Sequence, residues 1–216
     1  MNEEWSLIGL FNLGGPFMWP LLAFSIATIA LSVERIAYLA WHNLSVTGLR
    51  DSVDQALREG GTEGAESLLA AEKRKNTPAS ILLALVRNAR YGERRMEKAT
   101  EAEARERIRR LENGFNYLTA LASLAPLTGF LGTVSGMIGA FKSIASATEV
   151  NAQLVANGIY EALITTVFGL GIAIVALLTY NLLIQRVDTF AADVTKAVSD
   201  LEATLLETGL MGSERE

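Results

Sequence analysis

Thr133, Thr165 and Thr166 are polar residues set in surroundings where a hydroxyl could do chemistry. Thr133 lies in the stretch from Tyr117 to Phe141, and Thr165 and Thr166 lie in the stretch from Ala162 to Gln185. Neither stretch contains Asp, Glu, Lys, Arg or His. A hydroxyl both donates and accepts a hydrogen bond, so it can contact either protonation state of a carboxylate. In a membrane helix it can equally bond back to the carbonyl one turn earlier, which is a structural role. Composition leaves both readings open. Glu161 stands just before the second stretch. Ion-driven membrane proteins generally need a titratable group inside the bilayer. Proton handling here would therefore need a carboxylate from another chain.

The elements that must position these residues follow from length. At ~1.5 Å of rise per residue, either stretch can cross a hydrocarbon core of ~30 Å. A third apolar segment runs from Phe17 to about Tyr38, with an uncharged core from Phe17 to Val33 followed by Glu34 and Arg35. It reads as a span with Glu34 and Arg35 near the headgroups and Trp41 in the aromatic belt. Glu3 and Glu4 precede it in place of a basic region, which argues against a cleaved signal peptide. Trp5, Leu7, Ile8, Leu10 and Phe11 suit a segment lying on the membrane surface before Gly14, Gly15 and Pro16 begin the span.

Half of the 216 residues are hydrophobic and a fifth are charged, too much charge for membrane helices with short loops, so a polar domain is expected. Net charge is −5, which argues against nucleic acid as a partner. There is no cysteine, and the lone His42 reads as an interfacial or loop residue, because metal sites take three or four convergent ligands. No nucleophile–base pair, phosphate loop or metal cluster is present in the sequence, so neither catalysis nor a cofactor is expected. Fourteen of the 19 Lys and Arg fall between Asn43 and Gly114, and none falls between Ser143 and Glu161. The positive-inside rule then orients the chain N-out, C-in. The expected segments are 1–15, an extracytoplasmic interfacial segment; 16–41, the first span; 42–115, a cytoplasmic helical loop; 116–142, the second span; 143–158, a short outer loop; 159–186, the third span; and 187–216, a cytoplasmic helix and tail.

Within the long loop, Leu49, Val53 and Leu57 recur at helical spacing, Gly60 and Gly61 stop that helix, and a second run from about Glu63 to Lys75 ends before Pro78. A third, from Ser80 to Tyr91, is apolar through Ile81, Leu82, Leu85 and Val86. From Glu93 one long helix is expected to leave the cytoplasm and become the second span. Beyond the third span, Val187, Phe190, Val194, Val198, Leu201 and Leu205 form an apolar stripe. The fold class is an all-α integral membrane protein, with three transmembrane helices and long helical extensions.

On a helical wheel, Pro126, Gly129, Gly132, Thr133, Gly136, Gly139 and Ala140 share an arc of about 140°. Leu127, Leu131, Val134, Ile138 and Phe141 lie opposite. In the third span Ala162, Thr165, Thr166, Gly169, Ala173 and Ala176 share an arc of about 100°. Small residues at such spacing let helix backbones approach closely. The stripes are compatible with helix packing and with lining a narrow lumen.

The run Ala125-Pro126-Leu127-Thr128-Gly129-Phe130-Leu131-Gly132-Thr133-Val134-Ser135-Gly136-Met137-Ile138-Gly139-Ala140-Phe141 closely resembles a signature of the MotA/TolQ/ExbB proton-channel family. Gly158-Ile159-Tyr160-Glu161-Ala162-Leu163-Ile164-Thr165-Thr166-Val167-Phe168-Gly169-Leu170 resembles its second signature. The similarity extends over residues 14 to about 205, and three spans fit the ExbB/TolQ branch better than the four-span branch. The resemblance implies a ring of these subunits, a pentamer, around a dimer of ExbD/TolR-like single-span partners whose Asp carries the proton. It implies that Thr133 and Thr166, with Thr165 beside them, line the proton path and that Glu161 is the acidic residue at the outer end of the third span, either in the proton path or in a pair at a subunit interface. The output would be mechanical work on a TonB-like protein or on envelope maintenance, in a bacterial inner membrane. The alternatives are an oligomeric membrane scaffold without ion coupling, which would not need the threonines, and a self-sufficient channel, which would carry its own intramembrane charge.

Overall fold

The computed structural model describes residues 9, 11, 13–72, 76–146 and 152–212, without the side chains of 152 and 154. Among the described residues these helices follow in order: α1 (Met18–Trp41), α2 (Thr47–Glu72), α3 (Thr77–Ala89), α4 (Glu93–Glu112), α5 (Phe115–Ser146) and α6 (Ala152–Glu207). Among the described residues there is no strand, only an isolated bridge between Asn43 and Asn76. Among the described residues three helical stretches, within Met18–Trp41, Glu93–Ser146 and Val155–Glu207, are long and apolar enough to cross a membrane. The surface-lying segment expected at Trp5, Leu7, Ile8 and Leu10 falls outside the described residues.

The helix expected to run unbroken from Glu93 into the second span is interrupted. It ends at Glu112, Asn113 turns extended with ψ 130°, and Gly114 sits at φ +93° before α5 begins. That backbone region is open to glycine at little cost and strained for other residues. A side chain at Gly114 would also meet Arg35, whose Cδ lies 3.3 Å from the position of an added Cβ. Gly61, at φ +64°, breaks α2 where the glycine pair predicts a stop. The C-terminal end of α5 and the N-terminal end of α6 run past the expected spans, to Ser146 and back to Ala152.

The chain divides into two units. The first comprises Met1–Arg35 and Gly114–Leu182. Its core joins Met18 and Leu21 of α1 to Ala125 of α5 and Ile164 and Ile172 of α6, with Phe11, Phe24 and Phe168 packed against them. Large apolar side chains on the other faces, including Ile26, Val33, Leu127, Leu131, Ile138, Val167 and Ile174, are exposed. So much exposed apolar surface on helices of this length suits a lipid or subunit environment.

The second unit comprises Ile36–Asn113 and Leu183–Glu216. Every residue of the expected apolar stripe on the last helix is buried except the half-buried Val198. Leu49, Val53 and Leu57 of α2, Ile81, Leu82, Leu85 and Val86 of α3, and Met96 of α4 are buried in the same unit. His42 closes α1 through a contact of 2.8 Å between its Nδ1 and the Tyr38 carbonyl, and its ring lies on that of Tyr38. Polar links join α2 to α6: Arg50 pairs with Asp200 at 2.7 Å, and the Thr204 hydroxyl donates to Asp54 at 2.5 Å.

The Arg58 guanidinium, followed by the Thr204 hydroxyl, holds the Asp54 carboxyl below its ordinary pKa. A carboxylate with a depressed folded-state pKa contributes stability at higher pH and loses it as pH falls through the folded value. Melting temperature is therefore expected to fall below about pH 4, the ordinary aspartate range. Asp54→Asn should lower the melting temperature at pH 7 and flatten this acid limb. An unchanged limb in a pH series of melts would count against the assignment.

Candidate functional site

The site is built where α5 meets α6. Their close approach is made by glycines facing backbone. A Cβ added at Gly129 would lie 2.7 Å from the Thr165 carbonyl oxygen, and one at Gly169 would lie 2.5 Å from the Ala125 carbonyl oxygen. At Gly132 it would meet the Thr165 hydroxyl at 2.5 Å. Toward the C-terminal end of α5 and the N-terminal end of α6, Gly136 faces the Gly158 carbonyl and Ala162, while Gly158 faces Ala140. Ala162 and Ala173 are buried on the same α6 face, Ala140 is buried on α5, and Pro126 is half-buried. Gly139 has open space around it in the single chain.

Three hydroxyls converge in this seam. Thr133 Oγ1 shares a hydrogen bond with Thr166 Oγ1 across the two helices. It also lies 3.0 Å from the Ala162 carbonyl oxygen and 3.3 Å from that of Gly129. Thr166 Oγ1 lies 3.4 Å from the Gly129 carbonyl oxygen. Each hydroxyl has one proton, so two polarities are available. Thr166 can donate to Thr133 while Thr133 donates to Ala162, or Thr133 can donate to Thr166 while Thr166 donates to Gly129. The pair is a short hydrogen-bond relay whose direction can reverse.

Thr165 is placed differently. It is 1% exposed, with its hydroxyl 2.8 Å from the Ala162 carbonyl oxygen and 3.1 Å from that of Gly129. Thr133 and Thr166 are half-buried and keep an open side. The Gly129 carbonyl is thus the meeting point of all three threonines. Sequence reasoning did not single out this group, because a backbone oxygen carries no residue signature.

Glu161 is not brought to this cluster. Helix α6 starts nine residues earlier, at Ala152, so Glu161 follows the regular helical register away from Thr166. Its carboxyl packs on Gly15, where an added Cβ would lie 1.8 Å from Glu161 Oε1. Gly14 likewise faces Met18 and Ile164. The Gly14-Gly15-Pro16 run, legible as the start of a span, also makes room for this acid. At the opposite end of α1, Arg35 pairs with its neighbour Glu34. Among the described residues no group of His, Cys, Asp and Glu could hold a metal ion.

Glycine-faced helices with threonine hydroxyls bridging them, in a chain with three helical stretches long and apolar enough to span a membrane, define a multi-pass membrane protein. Residues 71–196 match the MotA/TolQ/ExbB proton channel family. The chain is 33% identical over 198 residues to an ExbB-like biopolymer transport protein of Synechocystis sp., covering 86% of this chain and 75% of that protein. It is 39% identical over 98 residues to the Tol-Pal system protein TolQ of Haemophilus influenzae, covering 45% and 43%. To the biopolymer transport protein ExbB of Pseudomonas putida it is 35% identical over 103 residues, covering 48% and 30%. The chain belongs to the MotA/TolQ/ExbB proton channel family, in its ExbB/TolQ branch.

Proposed function

We propose that this chain is the ring-forming subunit of an inner-membrane motor driven by the proton-motive force. Copies of it, five in number, enclose a dimer of ExbD/TolR-like single-span partners and work on a TonB-like protein or on envelope maintenance. The N-terminus lies outside and the C-terminus in the cytoplasm, as the basic residues between Asn43 and Gly114 favour. The observation that carries this reading is the Thr133–Thr166 hydroxyl pair in a charge-free part of the bundle.

A partner aspartate passing this pair can be met in both states, because a threonine donates to a carboxylate and accepts from a carboxylic acid. Contact with hydroxyls lowers the cost of the charge in hydrocarbon. Protonation removes the charge and lets the partner helix move along the apolar wall. Each proton crossing the field supplies ~2.3 kcal/mol per 100 mV, on the scale of small helix rearrangements. Glu161, held on Gly15, stands at the outer end of the third span in this reading.

Native mass spectrometry of the detergent-extracted chain tests the reading, with the chain expressed alone and with a single-span protein bearing an intramembrane Asp. A closed homo-oligomer that retains a smaller number of partner chains is the expected result. A monomer or dimer that ignores the partner would overturn it in favour of a scaffold or independent carrier.

A further inference from the structure

The second unit contains charges that form no ion pair among the described residues. Between Arg50 and Arg110, Arg50, Arg58, Arg87, Arg105, Arg107, Arg109 and Arg110 each pair with a carboxylate. Arg90, Arg94 and Arg95 pair with no carboxylate among the described residues, nor does Lys98 of α4; all four are exposed. Arg90 and Arg95 are held in position over the Tyr91 ring, their guanidinium carbons 4.8 and 5.1 Å from its centroid. This basic patch surrounds an exposed aromatic at the turn between α3 and α4.

An acidic counterpart lies beside it. Glu93 and Glu97 of α4 stand near Glu202 of α6, and none of the three forms an ion pair among the described residues. Burial pushes the Glu202 carboxyl up from its ordinary pKa, and the charges of Glu97 and Glu93 push it further. On the α4 wheel Glu93 and Glu97 occupy an arc of ~40°, and Arg94, Lys98 and Arg95 one of ~100°, with centres ~130° apart. The two patches diverge, so one chain cannot bring them together. Two copies can, in a head-to-tail contact of the kind that closes rings.

We propose that α4 and the adjoining part of α6 are an interface between copies of this chain, with Arg90, Arg94, Arg95 and Lys98 of one copy against Glu93, Glu97 and Glu202 of the next. This rests on the homo-oligomer proposed above and names the surface that selects the neighbour. The occupant is a second copy because the complementary charge is displayed by the same helix, and each patch supplies what the other lacks. Opposite charges at a rim steer and register partners, while like charges placed together repel.

The test is the heat-induced dissociation of the detergent-extracted oligomer, followed by native mass spectrometry at low ionic strength. Arg94→Glu with Arg95→Glu, and separately Glu93→Arg with Glu97→Arg, should lose the oligomer at temperatures where the unaltered protein stays assembled. The chain carrying all four changes restores complementarity and should recover the lost range. Helix content by circular dichroism should not change, since the four residues are exposed and form no ion pair among the described residues. Double variants that dissociate like the unaltered protein, or a fourfold variant that does not recover, would overturn this interface and leave the oligomer itself standing. A monomeric unaltered chain would overturn both.

Discussion

Replacing Thr133 and Thr166 together by valine is expected to abolish proton-driven output while leaving the protein folded and assembled. Valine keeps the shape of threonine and removes the hydroxyl, so the bridge between α5 and α6 and both relay polarities are lost. A hydrogen bond to a charged group is worth ~1.5–3 kcal/mol, so each single change should slow proton-coupled turnover by ~10- to ~100-fold. The measurement is proton uptake into vesicles holding the chain and its single-span partner under an imposed potential, read with a pH-sensitive dye. Thr165→Val makes the contrast. Its hydroxyl is enclosed between Ala162 and Gly129 carbonyls, so its loss should cost ~1 kcal/mol of stability and leave the Thr133–Thr166 pair in place. Undiminished uptake in the double variant would remove the hydroxyls from the mechanism and favour a scaffold.

Gly129→Ala and Gly169→Ala should destabilise the protein strongly although alanine is the better helix former. Each new methyl would meet a carbonyl oxygen of the facing helix, at 2.7 and 2.5 Å, and backbone cannot swing aside as a long side chain can. Overpacking of this kind costs ~1–3 kcal/mol, and the separation it forces would also stretch the threonine bridge. Gly171→Ala meets nothing within 4 Å and should be neutral to slightly stabilising in the single chain. Thermal melts of the detergent-extracted variants distinguish the cases. If all three variants melt with the parent, α5 and α6 do not touch along these glycines.

Much of this was legible in the residues. The charge-free stretches announced membrane helices because burying ionised groups in hydrocarbon is expensive. Gly61 was readable as a break in α2 because glycine ends helices cheaply. The break at Gly114 was missed, since the helix formers from Glu93 onward argued for continuity and a single glycine is tolerated inside a helix. Thr133 and Thr166 could be singled out by their place in paired family signatures.

The residues alone specify properties of single helices: which are apolar enough to span, which face carries small residues, and where hydroxyls interrupt a charge-free run. These depend on local composition and on the helical period, which any stretch of chain carries within itself. Tertiary structure alone decided that Thr165 is enclosed while Thr133 and Thr166 meet, that three threonines share the Gly129 carbonyl, and that Glu161 rests on Gly15. Those outcomes depend on the depth and rotation of one helix against another. They are set by side chains far apart in the chain fitting together, and no periodicity within one helix records them.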